Sequence, residues 1–447
     1  MLGETKALET LKKVVSMVEA DQAEAVLTGV SSGLTRFANS TIHQNVFERD
    51  HVIYLRAVLG KKIGIASSNV LDADALKDLA ERAVAIARSQ VENPDFDSLP
   101  KSPRAQKVDA FFPETETCAA KRRADNVKVV IDEAAKFDFL AAGSHSTSAK
   151  ELAVVNSLGT EQYHACTTVY MNTVIMSPTS SGYADLSSLD IGKFDPTALA
   201  TEAVRICAES QDPREIPEGR YDVVITARAL SELMNWLNYV GFSVDPYEDG
   251  RSFMSGRIGE TLMGQNISIW DDGCDSSGAP LPFDFEGVPR QRVDLIKNGV
   301  ARSVVFNSIK ARKQNRASTG HAVPAGEEIS AMPLNVFVAP GKNTWQEMIE
   351  SLDKGLLVTR FHYVNGLLEP RRALFTGMTR DGTFYVEGGK IKYPVKNLRF
   401  THSMLDAFSN VEMITKDVRM HLSDWWGADV LPGMKIKGFN FSGKTEF

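Results

Sequence analysis

The chain has 447 residues, of which 43% are hydrophobic and 24% are charged, and its formal net charge is -7. These values are ordinary for a globular protein of two or three domains. The acidic balance argues against a nucleic-acid partner, because binding phosphates broadly requires a basic surface. The N-terminus lacks an apolar signal segment, and no apolar run approaches the ~20 residues of a membrane span. We therefore expect a cytoplasmic protein with no membrane partner.

Apolar spacing predicts an N-terminal α+β domain over residues 1–212, because runs of adjacent strands are flanked by helices. The predicted helices are Glu4–Glu19, Asp72–Ser89, Thr115–Lys136 and Asp195–Ser210. The predicted strands are Glu24–Gly29, Leu34–Asn39, Ile42–Phe47, Asp50–Val58, a short one within 61–69, Phe139–Ser146, Glu151–Asn156, Thr160–Cys166 and Thr168–Ser177.

The order of elements in this domain occurs twice, which indicates an internal duplication of units 1–92 and 114–210. Arg36–Ser40 aligns with Ala153–Ser157 at an offset of 117, and Gly64–Ala66 aligns with Gly182–Ala184 at an offset of 118. Residue identity between the units is low. The Asn-Ser pairs that end the first two segments are predicted to turn the chain, since Asn adopts turn geometry readily.

Prolines at 213 and 217 predict a boundary before a second domain over residues 218–447. Asn298-Gly299 between apolar runs predicts a tight β-hairpin. Many short antiparallel strands predict a β-rich barrel or sandwich with a buried helix. The alternating segment Met434–Phe441 is typical of an edge strand.

The buried helix is predicted over Thr226–Gly241, after a strand over Tyr221–Thr226. Thr226 is a suitable N-cap, and Gly241 stands where a helix ends. One apolar stripe is formed by Leu230, Leu233, Met234, Leu237 and Val240.

Glu232 is the acid of this helix, and an acid there suggests the general base of a metallopeptidase. That chemistry needs histidine ligands one turn apart on the helix, but the flanking positions are Ser231 and Trp236. The eight histidines contain no helical metal pair, and the acidic run Asp271–Asp275 lacks the ligand spacing of a calcium loop. From the residues alone, Glu232 either pairs with Arg228 or binds the amine of a peptide.

Two other stretches are candidates for ligand contact. The loop at 318–322 combines hydroxyls, glycine and an imidazole, although a plain loop has the same composition. The 376–380 segment has arginines nearby that could hold a carboxylate, although exposed arginines often have no specific role. The candidate peptide-binding residues are Glu232, Ser318, Thr319, Gly320, His321, Thr376 and Arg380.

Six motifs together resemble the TldD/PmbA family, also called TldE or "modulator of DNA gyrase" proteins, over nearly the whole chain. These motifs are Leu34–Asn45, Asp284–Arg292, Leu295–Val300, Ser318–Ala322, Thr376–Phe384 and Glu387–Val395.

The resemblance implies a zinc metallopeptidase branch, TldD-like, with a His-Glu-x-x-x-His motif, and a PmbA/TldE-like branch without it. The metal histidines fall on Ser231 and Trp236, and the general base falls on Glu232. The cysteine ligand near the C-terminus of the TldD-like branch is also missing, because the last cysteine here is Cys274. The chain therefore resembles the PmbA/TldE-like branch, with no catalytic residue, metal or cofactor of its own.

From this resemblance we expect a non-catalytic subunit that works with a TldD-like zinc peptidase, as a heterodimer or homodimer, on small peptides during proteolysis or peptide maturation. Two alternatives stay open. The chain could be a peptidase acting alone through an unrecognised metal site, or a peptide-binding homodimer. The four cysteines form no Cys-x-x-Cys and are interpreted as reduced thiols, as expected in the cytoplasm.

Overall fold

The structure, a computed structural model, describes residues 1–423 and 426–444. Its architecture is α+β, which confirms the predicted fold class. The N-terminal elements are α1 (Glu4–Ser16), β1 (Gln22–Ala38), β2 (Thr41–Leu59), β3 (Lys62–Ser68), α2 (Ala73–Ser89), α3 (Pro113–Glu116), α4 (Ala120–Ala135), β4 (Leu140–Asn156), β5 (Glu161–Met176), β6 (Ser181–Ser188) and α5 (Pro196–Glu209).

The six N-terminal strands form one sheet in the order β3-β2-β1-β4-β5-β6, so that each half has the same order of strands outward from the central pair of β1 and β4. In each half, a glycine lets the outer strand touch its helix. A Cβ at Gly64 would lie 2.2 Å from the carbonyl oxygen of Ala83, and one at Gly182 would lie 2.2 Å from that of Ala203. The same close packing occurs at corresponding places in both halves, as expected of duplicated units.

Four long antiparallel strands replace the eight shorter ones predicted from the sequence. β1 pairs with β4 without interruption from Glu24 to Phe37. The glycines and serines of residues 29–33 suggested a break, but pairing on both sides holds the backbone extended there. The turn at Asn39-Ser40 is confirmed, since both residues have positive φ angles of 48° and 55°. β6 was missed as a strand because it is short and polar.

The remaining elements begin at Gly219. They are β7 (Gly219–Ile225), α6 (Ala227–Val240), α7 (Val244–Glu248), β8 (Ile269–Asp271), β9 (Val293–Lys297), β10 (Val300–Ala301), α8 (Ser308–Lys313), β11 (Asn335–Val338), α9 (Trp345–Glu350), β12 (Lys354–Val358), β13 (Phe361–Glu369), β14 (Leu374–Thr379), β15 (Thr383–Glu387), β16 (Lys390–Pro394), β17 (Leu398–Ser403), α10 (Met404–Ser409), β18 (Val411–Leu422) and β19 (Ala428–Lys444). Residues 424–425 and 445–447 of the predicted second domain lie outside the described residues.

These strands form a large mixed sheet that is sandwich-like rather than a closed barrel. Most pairs are antiparallel, but β12 runs parallel to β7 and β11 runs parallel to β19. The prediction that Met434–Phe441 is an edge strand is wrong, because β19 pairs with β7, β11, β17 and β18. Alternation gives the faces of a strand but not its place in a sheet.

No helix among the described residues is long and apolar enough to cross a membrane. The connection between the two N-terminal units, residues 90–112, has neither helix nor strand.

Candidate functional site

α6 lies between the large C-terminal sheet and a cavity, and its sequence explains both contacts. The Thr226 hydroxyl caps it by accepting a hydrogen bond from Ala229 N–H at 3.1 Å. The predicted stripe is confirmed, because its five apolar side chains are all at most 2% exposed in the C-terminal core. The opposite side of the helix presents Arg228, Glu232 and Asn235 to the cavity.

The cavity has a volume of about 640 Å³ and lies between α6 and one face of the N-terminal sheet. Alternate residues of β1, β4 and β5 point into it because side chains of a strand alternate between faces. Its hydroxyl-bearing lining residues on the sheet are Thr28, Ser32, Tyr54, Ser146, Ser148, Thr168 and Tyr170. The Ser32 and Ser148 hydroxyls lie 2.8 Å apart across neighbouring strands. The floor can therefore donate to and accept from a polar ligand at many points.

Glu232 lies on the cavity wall, and its carboxylate forms an ion pair with Arg228, four residues earlier. The same guanidinium reaches Asp185 on β6 at 2.9 Å. Burial raises the pKa of Asp185, but His421 and Arg228 outweigh burial and hold it below its ordinary value. Arg228 thus links the helix acid to the N-terminal sheet, and both interpretations of Glu232 from the sequence remain compatible with its position.

A second charge cluster fixes the same two parts of the molecule. Arg360 binds Asp381 at 2.6 Å, and the Ser181 hydroxyl of β6 donates to Asp381 at 2.6 Å. The guanidinium carbons of Arg360 and Arg228 lie 3.8 and 5.6 Å from the centre of the Tyr183 ring. These contacts join β6 of the N-terminal sheet to Arg228, Arg360 and Asp381 of the C-terminal half.

The residues at the degenerate metal positions do not fit a zinc ion. Ser231 is 4% exposed and its hydroxyl donates to the carbonyl of Arg228 at 2.8 Å. Trp236 has no free electron pair to offer, and its indole N–H donates to Val364 O at 2.7 Å. Within residues 1–423 and 426–444, no group of three or more His, Cys, Asp or Glu could hold a metal.

The loop at 318–321 lies outside the cavity lining. His321 is fully buried, and its ring nitrogens lie 2.8 Å from Thr319 O and 2.8 Å from the Asp271 carboxylate. Arg290 binds both oxygens of Asp271 at 2.8 Å. Burial raises the pKa of Asp271, but Arg290 and His321 outweigh it and hold that pKa well below its ordinary value.

The hydroxyls of Ser318 and Thr319 both donate to Phe306 O, at 3.2 and 3.0 Å. Gly320 has a φ of +74°, and a Cβ there would lie 2.5 Å from Pro289 O. Each residue of this loop therefore has an internal structural contact, and peptide binding by the loop stays a prediction.

Thr376 and Arg380 are not in the cavity lining either. Thr376 on β14 donates its hydroxyl hydrogen to Phe400 O at 2.8 Å. Arg380 is 47% exposed and lies 3.9 Å from Asp381. Both Arg380 and Glu232 are near His362, whose pKa is lowered by burial and by neighbouring arginines.

Sequence reasoning missed the hydroxyl floor of the cavity. The available signal was the run of small polar residues at alternate positions of β1 and β4, which departs from the apolar alternation of a strand packed on a core. This signal did not say which face of the sheet meets α6, since that contact joins residues that are roughly 80 to 200 positions apart in the chain.

Comparisons with known proteins agree on one family. The profile of the PmbA/TldA metallopeptidase C-terminal domain matches residues 218–443, just over half of the chain, and that of PmbA/TldA metallopeptidase domain 1 matches residues 23–87.

Among curated relatives, the metalloprotease PmbA of Escherichia coli O157:H7 is 23% identical over 94% of this chain and 92% of its own length. The metalloprotease TldD homolog of Buchnera aphidicola subsp. Schizaphis graminum is 28% identical, but over 49% of this chain and 45% of its own length. The chain thus aligns with less than half of that relative. The crystal structure of TldE from Thermococcus kodakarensis superposes with a TM-score of 0.89 at 17% identity, over 97% of this chain and 99% of that one.

Proposed function

The chain belongs to the PmbA/TldD metallopeptidase family, and on that basis we propose that it is a non-catalytic, peptide-holding subunit of a zinc metallopeptidase. In this proposal, a TldD-like partner with the His-Glu-x-x-x-His motif binds the zinc and hydrolyses the peptide. This chain contributes the cavity wall and orients the substrate.

One observation supports this proposal above the others. At the two positions where the motif requires imidazoles, Ser231 and Trp236 donate hydrogen bonds to backbone carbonyls of their own chain. Neither side chain can serve as a ligand that coordinates a divalent metal ion. Glu232 still faces the cavity, so an acid remains where a peptide amine can reach it.

The cavity suits a short piece of extended peptide. A volume of about 640 Å³ lies within the range of roughly 300–1,000 Å³ found for small-ligand sites. Its many hydroxyls can satisfy backbone N–H and C=O groups without selecting particular side chains. Such a wall binds many sequences, as expected of a subunit that handles small peptides for a catalytic partner.

The experiment compares peptide hydrolysis by this chain alone, by a TldD-like homologue alone, and by the two mixed, each with and without a zinc chelator. We expect no turnover by the isolated chain and chelator-sensitive turnover by the mixture that exceeds the homologue alone. Stoichiometric zinc in the purified chain, together with chelator-sensitive turnover by it alone, would overturn the proposal.

A further inference from the structure

The distal half of β2 has no strand on its outer side. β3 pairs only with Ile53–Leu59, which leaves residues 41–52 as an open edge. No other described segment forms a backbone hydrogen bond to this edge beyond β1, its partner on the inner side. All side chains from 41 to 50 are exposed except that of Val46, which is partly exposed. Edges of this length are normally paired, covered or shortened.

The second repeat contains the corresponding edge, and there the chain covers it. β6 pairs only with Val169–Met176, and the irregular segment before α3 lies along the rest of β5. Thr167 N–H donates to Ala110 O at 2.9 Å. The Gln162 side chain accepts from Ala105 N–H at 2.9 Å and donates to Pro103 O at 2.7 Å. At this second edge, an irregular segment of the chain itself therefore covers the strand through these backbone and side-chain hydrogen bonds.

The open edge differs in chemistry between its two faces. Glu48 is paired in register with Ser32, which lines the cavity, so its carboxylate lies on the cavity side of the sheet, and Asp50 lies on the same side. Neither carboxylate forms a salt bridge with any residue of 1–423 or 426–444. Phe47 is on the opposite face and is 60% exposed. A segment that fits this edge has basic residues on one face and apolar residues on the other.

Charge also decides against a second copy of this chain as the occupant. When two identical strands pair antiparallel about a two-fold, residues of the same face stand opposite one another. The cavity-face residues of the edge are Gln44, Val46, Glu48, Asp50 and Val52, which include two acids and no cation. Self-pairing would leave both acids without a partner or oppose like charges, which destabilises a sheet.

We propose that residues 42–52 of β2 form a second polypeptide-binding site, distinct from the cavity, which adds an extended segment with Lys or Arg at alternate positions and apolar residues between them. Backbone hydrogen bonds to the open edge supply the part of the affinity that does not depend on the side chains of the bound segment. The acids at 48 and 50 select basic side chains on one face, and Phe47 packs against an apolar side chain on the other.

The test uses a fluorescein-labelled peptide, KVKFKVK, and its charge-reversed counterpart, EVEFEVE, with the full chain. We expect saturable binding of the basic peptide, seen by fluorescence anisotropy, and binding at least about tenfold weaker for the acidic one. Hydrogen exchange of the backbone amides should slow within residues 42–52 when the basic peptide is added. A proline at the centre of the peptide should abolish the protection, since it interrupts strand pairing.

Two double variants that have the same net charge distinguish binding at this edge from nonspecific electrostatic attraction between the peptide and the protein. Glu48→Lys with Asp50→Lys should reverse the preference between the two peptides. Glu9→Lys with Glu92→Lys, at exposed positions elsewhere, should leave the preference unchanged. Equal loss of binding in both double variants would overturn the proposal. If hydrogen-exchange protection of the same amides rises with protein concentration when no peptide is present, the edge binds a second copy of the chain. That result would also overturn the proposal.

Discussion

Arg228 and Glu232, one turn apart on α6, form an ion pair in the wall of the cavity. Because Arg228 also binds Asp185 on β6 at 2.9 Å, it cannot follow Glu232 freely into solvent. The acid is thereby held with 23% of its side chain exposed. A carboxylate fixed in this way can accept a hydrogen bond from the amino end of a peptide.

We expect Glu232→Gln to weaken binding of a peptide with a free amino terminus by about tenfold, because a charge-assisted hydrogen bond becomes a neutral one. Titration calorimetry with free and acetylated peptides, in the presence of a TldD-like partner, measures the effect. The matched control is Glu209→Gln, which removes another Arg–Glu pair of the same spacing, at 2.7 Å, on α5. If the native chain binds both peptides equally, Glu232 does not bind the amine.

The pair of Asp271 and Arg290 should be essential to stability, since both side chains are 0% exposed. Asp271→Asn leaves the buried guanidinium without a counter-charge, and we expect a loss of about 3–5 kcal/mol in the free energy of unfolding. Urea denaturation measures it. Glu260→Gln, which breaks an exposed pair with Arg257, should change stability by less than about 1 kcal/mol. Similar losses of stability for Asp271→Asn and Glu260→Gln would contradict the conclusion that the buried pair of Asp271 and Arg290 is essential to stability.

Glu24 should make stability fall as pH rises toward neutrality. Burial raises its pKa to about 7, with Arg56 lowering and Glu286 raising it. Between the ordinary pKa of 4.5 and about 7, the folded state keeps a proton that the unfolded state loses. Stability therefore decreases across this window, by up to about 3 kcal/mol.

The measurement is the difference in unfolding free energy between the native chain and Glu24→Gln at pH 5 and at pH 8. The native chain should lose stability relative to this variant as pH rises. Glu9→Gln, at an exposed position, should show no such trend. A constant difference between the native chain and Glu24→Gln would refute the titration of Glu24 in this range.

Gly64→Ala and Gly182→Ala should destabilise the protein by similar amounts. In each variant, the new methyl would lie 2.2 Å from a helix carbonyl oxygen, at corresponding places in the two halves of the N-terminal sheet. We expect losses of about 2–4 kcal/mol, because overpacking against backbone cannot be relieved by a side-chain rotation. Gly443→Ala, where the nearest atom is 3.9 Å away, should have little effect. Thermal unfolding compares the stability of the three variants. A small loss of stability in Gly182→Ala beside a large loss in Gly64→Ala would contradict an equivalent role for the two glycines.

Local patterns were sufficient to predict several parts of the molecule. The spacing of apolar residues and the Thr226 cap predicted α6, and Asn298-Gly299 predicted the turn between β9 and β10, where both residues have positive φ. The identities of Ser231 and Trp236 exclude an imidazole-bound zinc at these positions without any structure. These features depend on residues that are close in sequence, so the sequence alone contains the relevant physical information.

Only the tertiary structure decided which surfaces meet. It places Glu232 opposite the hydroxyl floor of a sheet formed by the first half of the chain, buries His321 against Asp271, and puts β19 at the centre of its sheet. Periodicity fixes which side chains share a face. Which faces pack together depends on pairing between distant segments, and the free energy of that pairing comes from contacts that no local window of sequence contains.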